Sequence, residues 1–276
     1  MKESFYGRIQ QTKVDGDVAR YVEEIAVRGF TVIPELFSLE QLTAWREKID
    51  GVYRAQETDF GRDALIAIQE LDMCRAPLLY DFEFIQLATH PLILSVVKEI
   101  LGDWFILNLQ NAIINRPNQM HHQSSWHRDL PYQNWVISRP LAINALVAID
   151  EFSEITGGTH VVPFTHKTEV LPSDAYIDAN RIVAAAPAGS AIVFDSMLFH
   201  RAGANRSSNI RRAVNHLYTT PILKQQYDFP NALGTRPDMD AATARLLGYT
   251  SQVPLNDRVW RANRAARNLG MGQNTQ

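Results

Sequence analysis

Apolar residues in the first hundred positions recur at helical spacing. Val18, Tyr21, Val22 and Ile25 form one stripe, and Gly29 predicts its end. The run Phe30-Thr31-Val32-Ile33 predicts a short strand that Pro34 closes. Ser38 and Gln41 stand at capping-box spacing and predict a second helix along Leu42, Trp45, Ile49 and Val52. Pro91 suits a first helical turn, Gly102 a stop, and Ile93, Val96, Val97, Ile100 and Leu101 lie between them. Stripes of this kind face a shared core.

The pattern changes at Trp104. As far as about Pro221, short β-rich runs alternate with Pro, Gly, Asn and Ser: Phe105–Leu107, Ala112–Ile114, Leu141–Ile149, His160–Val162, Ala191–Phe194 and Ala213–Tyr218. Many short strands with turn signals predict a sandwich or barrel. Beyond Pro221, Asp240–Leu247 and Asp257–Leu269 read as helices stopped by Gly248 and Gly270. The expected fold is mostly β with a helical layer: a double-stranded β-helix (a cupin-like jelly roll) flanked by N-terminal and C-terminal helices. Residues 1–276 are read as one domain, with a largely helical part at 1–103, the β core at 104–220 and a helical extension at 221–276.

Composition narrows the function classes. The 276 residues are 46% hydrophobic and 21% charged, with a net charge of −3. That balance lacks the basic footprint of a nucleic-acid partner. The single cysteine, Cys74, has no intrachain partner for a disulfide. The stretch from Met1 to Phe5 has no signal-like apolar run, and no segment approaches the roughly 20 apolar residues of a membrane span. The expectation is a soluble, cytoplasmic protein with a small-molecule substrate and no membrane or nucleic-acid partner; a homo-oligomer is left open.

The chemistry centres on Ser125-Trp126-His127-Arg128-Asp129-Leu130. Residues i and i+2 of a strand share a face, so His127 and Asp129 are placed to reach one metal. Alone this is a weak signal. His200 follows the apolar run Ala191–Phe194 and a turn, and two histidines with one carboxylate make up the facial triad of non-haem iron oxygenases. A structural zinc site would instead be closed by four ligands, commonly thiolates. Arg211 lies eleven residues after His200, beyond the turn-like Asn205-Arg206-Ser207-Ser208-Asn209, so the chain can bring its guanidinium back to the site. A guanidinium grips a carboxylate through two parallel hydrogen bonds, which the far end of 2-oxoglutarate requires.

These residues and their flanks resemble the phytanoyl-CoA dioxygenase family of 2-oxoglutarate-dependent oxygenases. The resemblance runs from Gly29–Pro34 through Ile114-Asn115-Arg116-Pro117 and Trp126–Tyr132. It continues through Gly157–Lys167 to Phe194-Asp195, His200, Gly203–Ser207 and Arg211. It implies a double-stranded β-helix that uses iron(II), 2-oxoglutarate and O2. His127, Asp129 and His200 become the iron ligands, Arg211 the anchor of the distal carboxylate, and Thr159 and Asn111 further co-substrate contacts. Because Asp129 is a carboxylate where halogenating members carry a small residue, the resemblance implies hydroxylation or a related oxidation, with release of succinate and CO2. The sequence departs from the family at Phe164-Thr165, where Gly-Ser is usual, and at Ala202.

Two other classes fit parts of the pattern. One is a cupin-like metalloenzyme that does not use 2-oxoglutarate, against which Arg211 and the placing of His200 argue. The other is a non-catalytic binding protein with a vestigial site, against which the complete triad argues. For the substrate, Trp126, Tyr132, Trp135 and Phe199 are candidates for an apolar wall, and Arg116, Arg128 and Arg139 for an anion contact. His121 and His122 read as loop residues or substrate contacts, and His160, His166 and His216 as structural. The polar loops suggest a small natural product or a sugar-like metabolite more than an acyl-CoA.

Overall fold

The computed structural model describes residues 11–268 apart from 120 and 131. Gly270, the expected stop of the last helix, lies outside the described residues. Among the described residues nine strands are interspersed with helices: β1 (Phe30–Ile33), β2 (Met73–Arg75), β3 (Ile106–Asn115), β4 (Ala142–Ala148), β5 (His160–Val161), β6 (Ile182–Val183), β7 (Ala191–Asp195), β8 (His200–Arg201) and β9 (Arg211–Thr219). They form two antiparallel sheets, one of six strands in the order β1-β7-β4-β9-β3-β2 and one of three in the order β6-β5-β8.

The six-stranded sheet is buried on both faces, and period-two alternation decides what each face meets. Ile143, Ala145, Val147, Val193, Val214 and Tyr218 face a helical layer. Tyr21 and Ile25 of helix Gly16–Arg28, Leu42, Trp45 and Ile49 of helix Leu39–Phe60, and Ile93, Val96 and Val97 of helix Pro91–Leu101 pack there. The opposite face presents Phe30, Ile113, Leu146, Ile192, Phe194 and Ala213, which pack with Phe152, Val161 and Leu198 around the small sheet. On β9, Arg212 therefore reaches Asp50 of the helical layer at 2.8 Å, while Arg211 faces inward.

The expected helices form where their caps are strongest. Gly29 closes the first with φ of 91°, and Ser38 with Gln41 makes both bonds of the capping box. The two runs expected at Phe105–Leu107 and Ala112–Ile114 are one strand, β3. Its polar middle is buried because each side chain there finds a backbone partner. The Asn108 amide donates to Lys224 O at 3.0 Å, and Gln110 donates to Phe84 O at 2.9 Å while accepting from Leu78 N at 3.2 Å. β2 carried no strand signal of its own, yet it closes one edge of the large sheet by pairing with β3. Among the described residues no single helix is long and apolar enough to cross a membrane.

Candidate metal centre

His127 and His200 meet as a reciprocally bonded antiparallel pair outside the longer strand ladders. His127 N donates to His200 O at 3.0 Å, and His200 N to His127 O at 3.1 Å. Each imidazole repeats the same local bond: His127 Nδ1 lies 2.8 Å from Ser125 O, and His200 Nδ1 3.0 Å from Leu198 O. A carbonyl only accepts, so both Nδ1 atoms carry hydrogen and both Nε2 lone pairs are left for a ligand. Burial, and then the neighbouring His127, pull the His200 pKa down to about 4, which keeps its ring neutral at neutral pH.

Asp129 completes the group. Its Oδ1 lies 3.7 Å from each Nε2, and the three ligand atoms all fall within 4.8 Å of one another. Its Oδ2 is held from behind by the amides of Asn144 at 2.6 Å and Asn215 at 3.3 Å, and Ser196 Oγ fixes Asn144 Oδ1 at 2.6 Å. Nothing in the sequence pattern singled out this network. Asn144 and Asn215 are inward positions of β4 and β9, where apolar residues are the rule, and a buried amide there is the signal that was available. One carboxylate oxygen and two imidazole nitrogens on one side of a cavity suit a divalent first-row metal with positions left open.

The same cavity brings in Arg211 and Thr159, with Ile113, Leu146, Phe194, Gln123 and Asn215 in its wall. Arg211 is 2% exposed, and its guanidinium lies 4.3 Å from the Phe152 ring centroid. Its Nε is buried without a hydrogen-bond partner, and among the described residues it forms no ion pair. Burial lowers its pKa to about 10, so the group stays charged at neutral pH. Asn111 does not line this cavity. Its amide lies 2.9 Å from an Arg75 nitrogen and 3.0 Å from the Tyr227 hydroxyl, beside the Arg75–Glu70 ion pair.

Other candidates fall elsewhere. Arg128 is 9% exposed and donates to Met197 O and Glu169 O, each at 2.8 Å, and to Thr168 O, so it ties loops together and is closed to an anion. Arg116 pairs with Asp72, Arg139 is exposed, and Tyr132 and Trp135 are 93% and 52% exposed. Phe199 is covered by Arg128, and Trp126 by Arg201. His121 is buried beside His122, Arg211 and Arg75; burial first, and then these neighbours, push its pKa down to about 3. Its Nδ1 accepts from Gln123 N at 3.2 Å, so the neutral ring carries hydrogen on Nε2, a buried donor with no acceptor.

With this geometry in view, a sequence profile of the family described as phytanoyl-CoA dioxygenase matches residues 26–213, which include all three ligand candidates and Arg211. The chain belongs to the phytanoyl-CoA dioxygenase family. This phytanoyl-CoA dioxygenase family member is 36% identical over 241 residues to an uncharacterized protein of Mycobacterium tuberculosis, across 83% of this chain and 85% of the relative. It is 28% identical to the dioxygenase trt7 of Aspergillus terreus, across 75% and 74% of the two chains. Its fold is similar to that of EctD from S. alaskensis, solved with 2-oxoglutarate and 5-hydroxyectoine (TM-score 0.61, 17% identity, 74% of this chain and 76% of that one). The α-ketoglutarate-dependent epimerase SnoN from nogalamycin biosynthesis shares the fold with a TM-score of 0.56 at 17% identity, over 74% of this chain and 83% of that one.

Proposed function

We infer that this family member is an iron(II)- and 2-oxoglutarate-dependent dioxygenase that oxidises a C–H bond of a small metabolite. The two facing sheets are read as its double-stranded β-helix. His127, Asp129 and His200 would hold the iron, and Arg211 the distal carboxylate of the co-substrate. The observation that carries this reading is the buried guanidinium of Arg211. A cation removed from water without a partner is costly, and a carboxylate-bearing ligand in the same cavity supplies the missing partner.

When bound, iron and 2-oxoglutarate would supply the means of activating O2, the four-electron oxidant shared between the substrate C–H bond and 2-oxoglutarate, with succinate and CO2 as co-products. The chain supplies position. The carbonyls of Ser125 and Leu198 fix the imidazole tautomers and aim both Nε2 atoms into the cavity. Asn144 and Asn215 occupy one oxygen of Asp129 and leave the other for the metal. Arg211 donates to one end of the co-substrate, and Thr159 offers a hydroxyl in the same cavity. Ile113, Leu146 and Phe194 give the cavity an apolar wall, which strengthens a charge pair formed inside it.

The test is succinate release from 2-oxoglutarate in the presence of iron(II) and ascorbate, with an anaerobic visible titration in parallel. Wild type is expected to form succinate and to develop a weak visible charge-transfer band on adding 2-oxoglutarate to the iron-loaded protein. His127→Ala and Asp129→Ala are expected to lose both. Full turnover by either variant overturns the ligand assignment. Iron binding without the band would favour a cupin-like enzyme that does not use 2-oxoglutarate.

A further inference from the structure

A second, larger cleft adjoins the metal cavity. It holds about 600 Å3, the size of pockets that take small metabolites, and it shares Arg201 and Ala202 with the cavity of the triad. Three arginines line it, Arg181, Arg201 and Arg206, against a single carboxylate, that of Glu154. The chain as a whole carries a net charge of −3, so this positive cluster is not a general property of the surface.

The small sheet builds the cluster. His160 of β5 pairs with Val183 of β6 on one side and Arg201 of β8 on the other, so the three side chains share a face. Arg181 stands two residues before Val183 and projects to that same face. Its Nη1 lies 3.1 Å from His160 Nδ1. Its Nε is buried without a hydrogen bond, and the nearest carboxylate, exposed Asp178, is 3.7 Å away. The Arg201 guanidinium lies 4.7 Å from the Trp126 ring centroid, which holds it in place. Neither Arg201 nor Arg206 forms an ion pair among the described residues. Three like charges served by only one long contact to exposed Asp178 and by the single carboxylate of Glu154 leave an excess of positive charge that an anionic ligand completes.

We propose that this cleft binds the substrate to be oxidised, and that the substrate is an organic phosphate. Arg181, Arg201 and Arg206 grip its phosphoryl oxygens, and the remainder reaches past Ala202 to the metal centre. One carboxylate is satisfied by a single guanidinium fork, whereas three converging guanidinium groups match the several oxygens and higher charge of a phosphoryl group. The role as a substrate site rests on the oxygenase activity proposed above; the anion cleft does not.

Calorimetric titration of the metal-depleted full chain with inorganic pyrophosphate tests the proposal, with substrate-free succinate release by the iron-loaded wild type measured in parallel. Saturable one-to-one binding is expected, weakened at least tenfold by Arg181→Gln and by Arg206→Glu and weakened by added salt. Arg206 is exposed, so its variant retains the fold even if Arg181→Gln does not. Absent saturation, or equal affinity in wild type and Arg206→Glu, overturns the cleft and leaves the oxygenase reading standing if succinate is formed. Arginine-dependent binding without succinate release keeps the anion cleft but overturns the oxygenase reading, and with it the role as a substrate site.

Discussion

At the scale of single residues, the site is defined by groups whose usual partners are absent. Arg211 is the clearest case. Replacing it by Met removes a buried charge, so the ligand-free Arg211→Met protein is expected to melt above the wild type. With Arg211 as the proposed anchor of 2-oxoglutarate, the same change removes a charge-assisted contact worth about 1.5–3 kcal/mol, so the KM for 2-oxoglutarate should rise by ~10- to ~100-fold. Thermal melts and steady-state kinetics read opposite signs for one substitution, a pattern that simple damage to the fold does not produce. Asn144 acts through Asp129. Loss of its amide in Asn144→Ala leaves the carboxylate with only the longer Asn215 bond of 3.3 Å, and metal affinity, followed by cobalt(II) titration, is expected to fall ~10- to ~100-fold.

At the scale of elements, the turn that ends the first helix touches the site through packing. A Cβ on Gly29 would lie 2.6 Å from His166 Nδ1 and 2.8 Å from Leu198 Cδ1, at a φ of +91°. Gly29→Ala is expected to lower stability by about 1–3 kcal/mol in urea unfolding. It should also weaken metal binding, because Leu198 O orients His200. Phe164 presents the reverse case. Its φ is 70° and it is 55% exposed, at the place where the family usually carries glycine. Phe164→Gly should therefore stabilise the fold by about 1 kcal/mol in the same assay.

What the sequence made legible follows from these particulars. Caps and periodicity are local, so Gly29, the Ser38–Gln41 box and the stripe after Pro91 marked their helices. The 127/129 spacing with His200 marked the triad for the same reason: adjacent inward positions survive even where His127 forms only an isolated bridge and no full strand. β2 was illegible because three residues acquire their strand character from pairing with β3. The support under Asp129 was illegible because Asn144 and Asn215 are meaningful only once β4 and β9 are neighbours. Arg128 misled for a related reason, since loop carbonyls brought together by the fold consume its donors.

At the scale of the whole molecule, stability carries a pH signature from Asp195. Burial raises its pKa from 3.8 to about 6, against the pull of the Met197 amide at 2.9 Å. The protonated form is favoured in the folded state, so this group's contribution is present below pH 4, declines between about pH 4 and 6, and is gone above. Asp195→Asn removes that dependence. Between pH 5 and pH 8 the variant should gain about 1.4 kcal/mol relative to wild type in urea unfolding. A constant difference between the two proteins would refute the assignment.

One further feature concerns the floor beneath the arginines. A Cβ on Gly157 would come within 2.6 Å of Gly203 O, and one on Gly203 within 2.5 Å of Gly158 O, while the Asn115 amide donates to Gly203 O at 2.9 Å. Main chain rests directly on main chain there, with no space for ornament. Divergence toward new substrates in descendants of this protein, whether natural or made in the laboratory, must then proceed by exchanging rim side chains while the glycine bed beneath stays as it is.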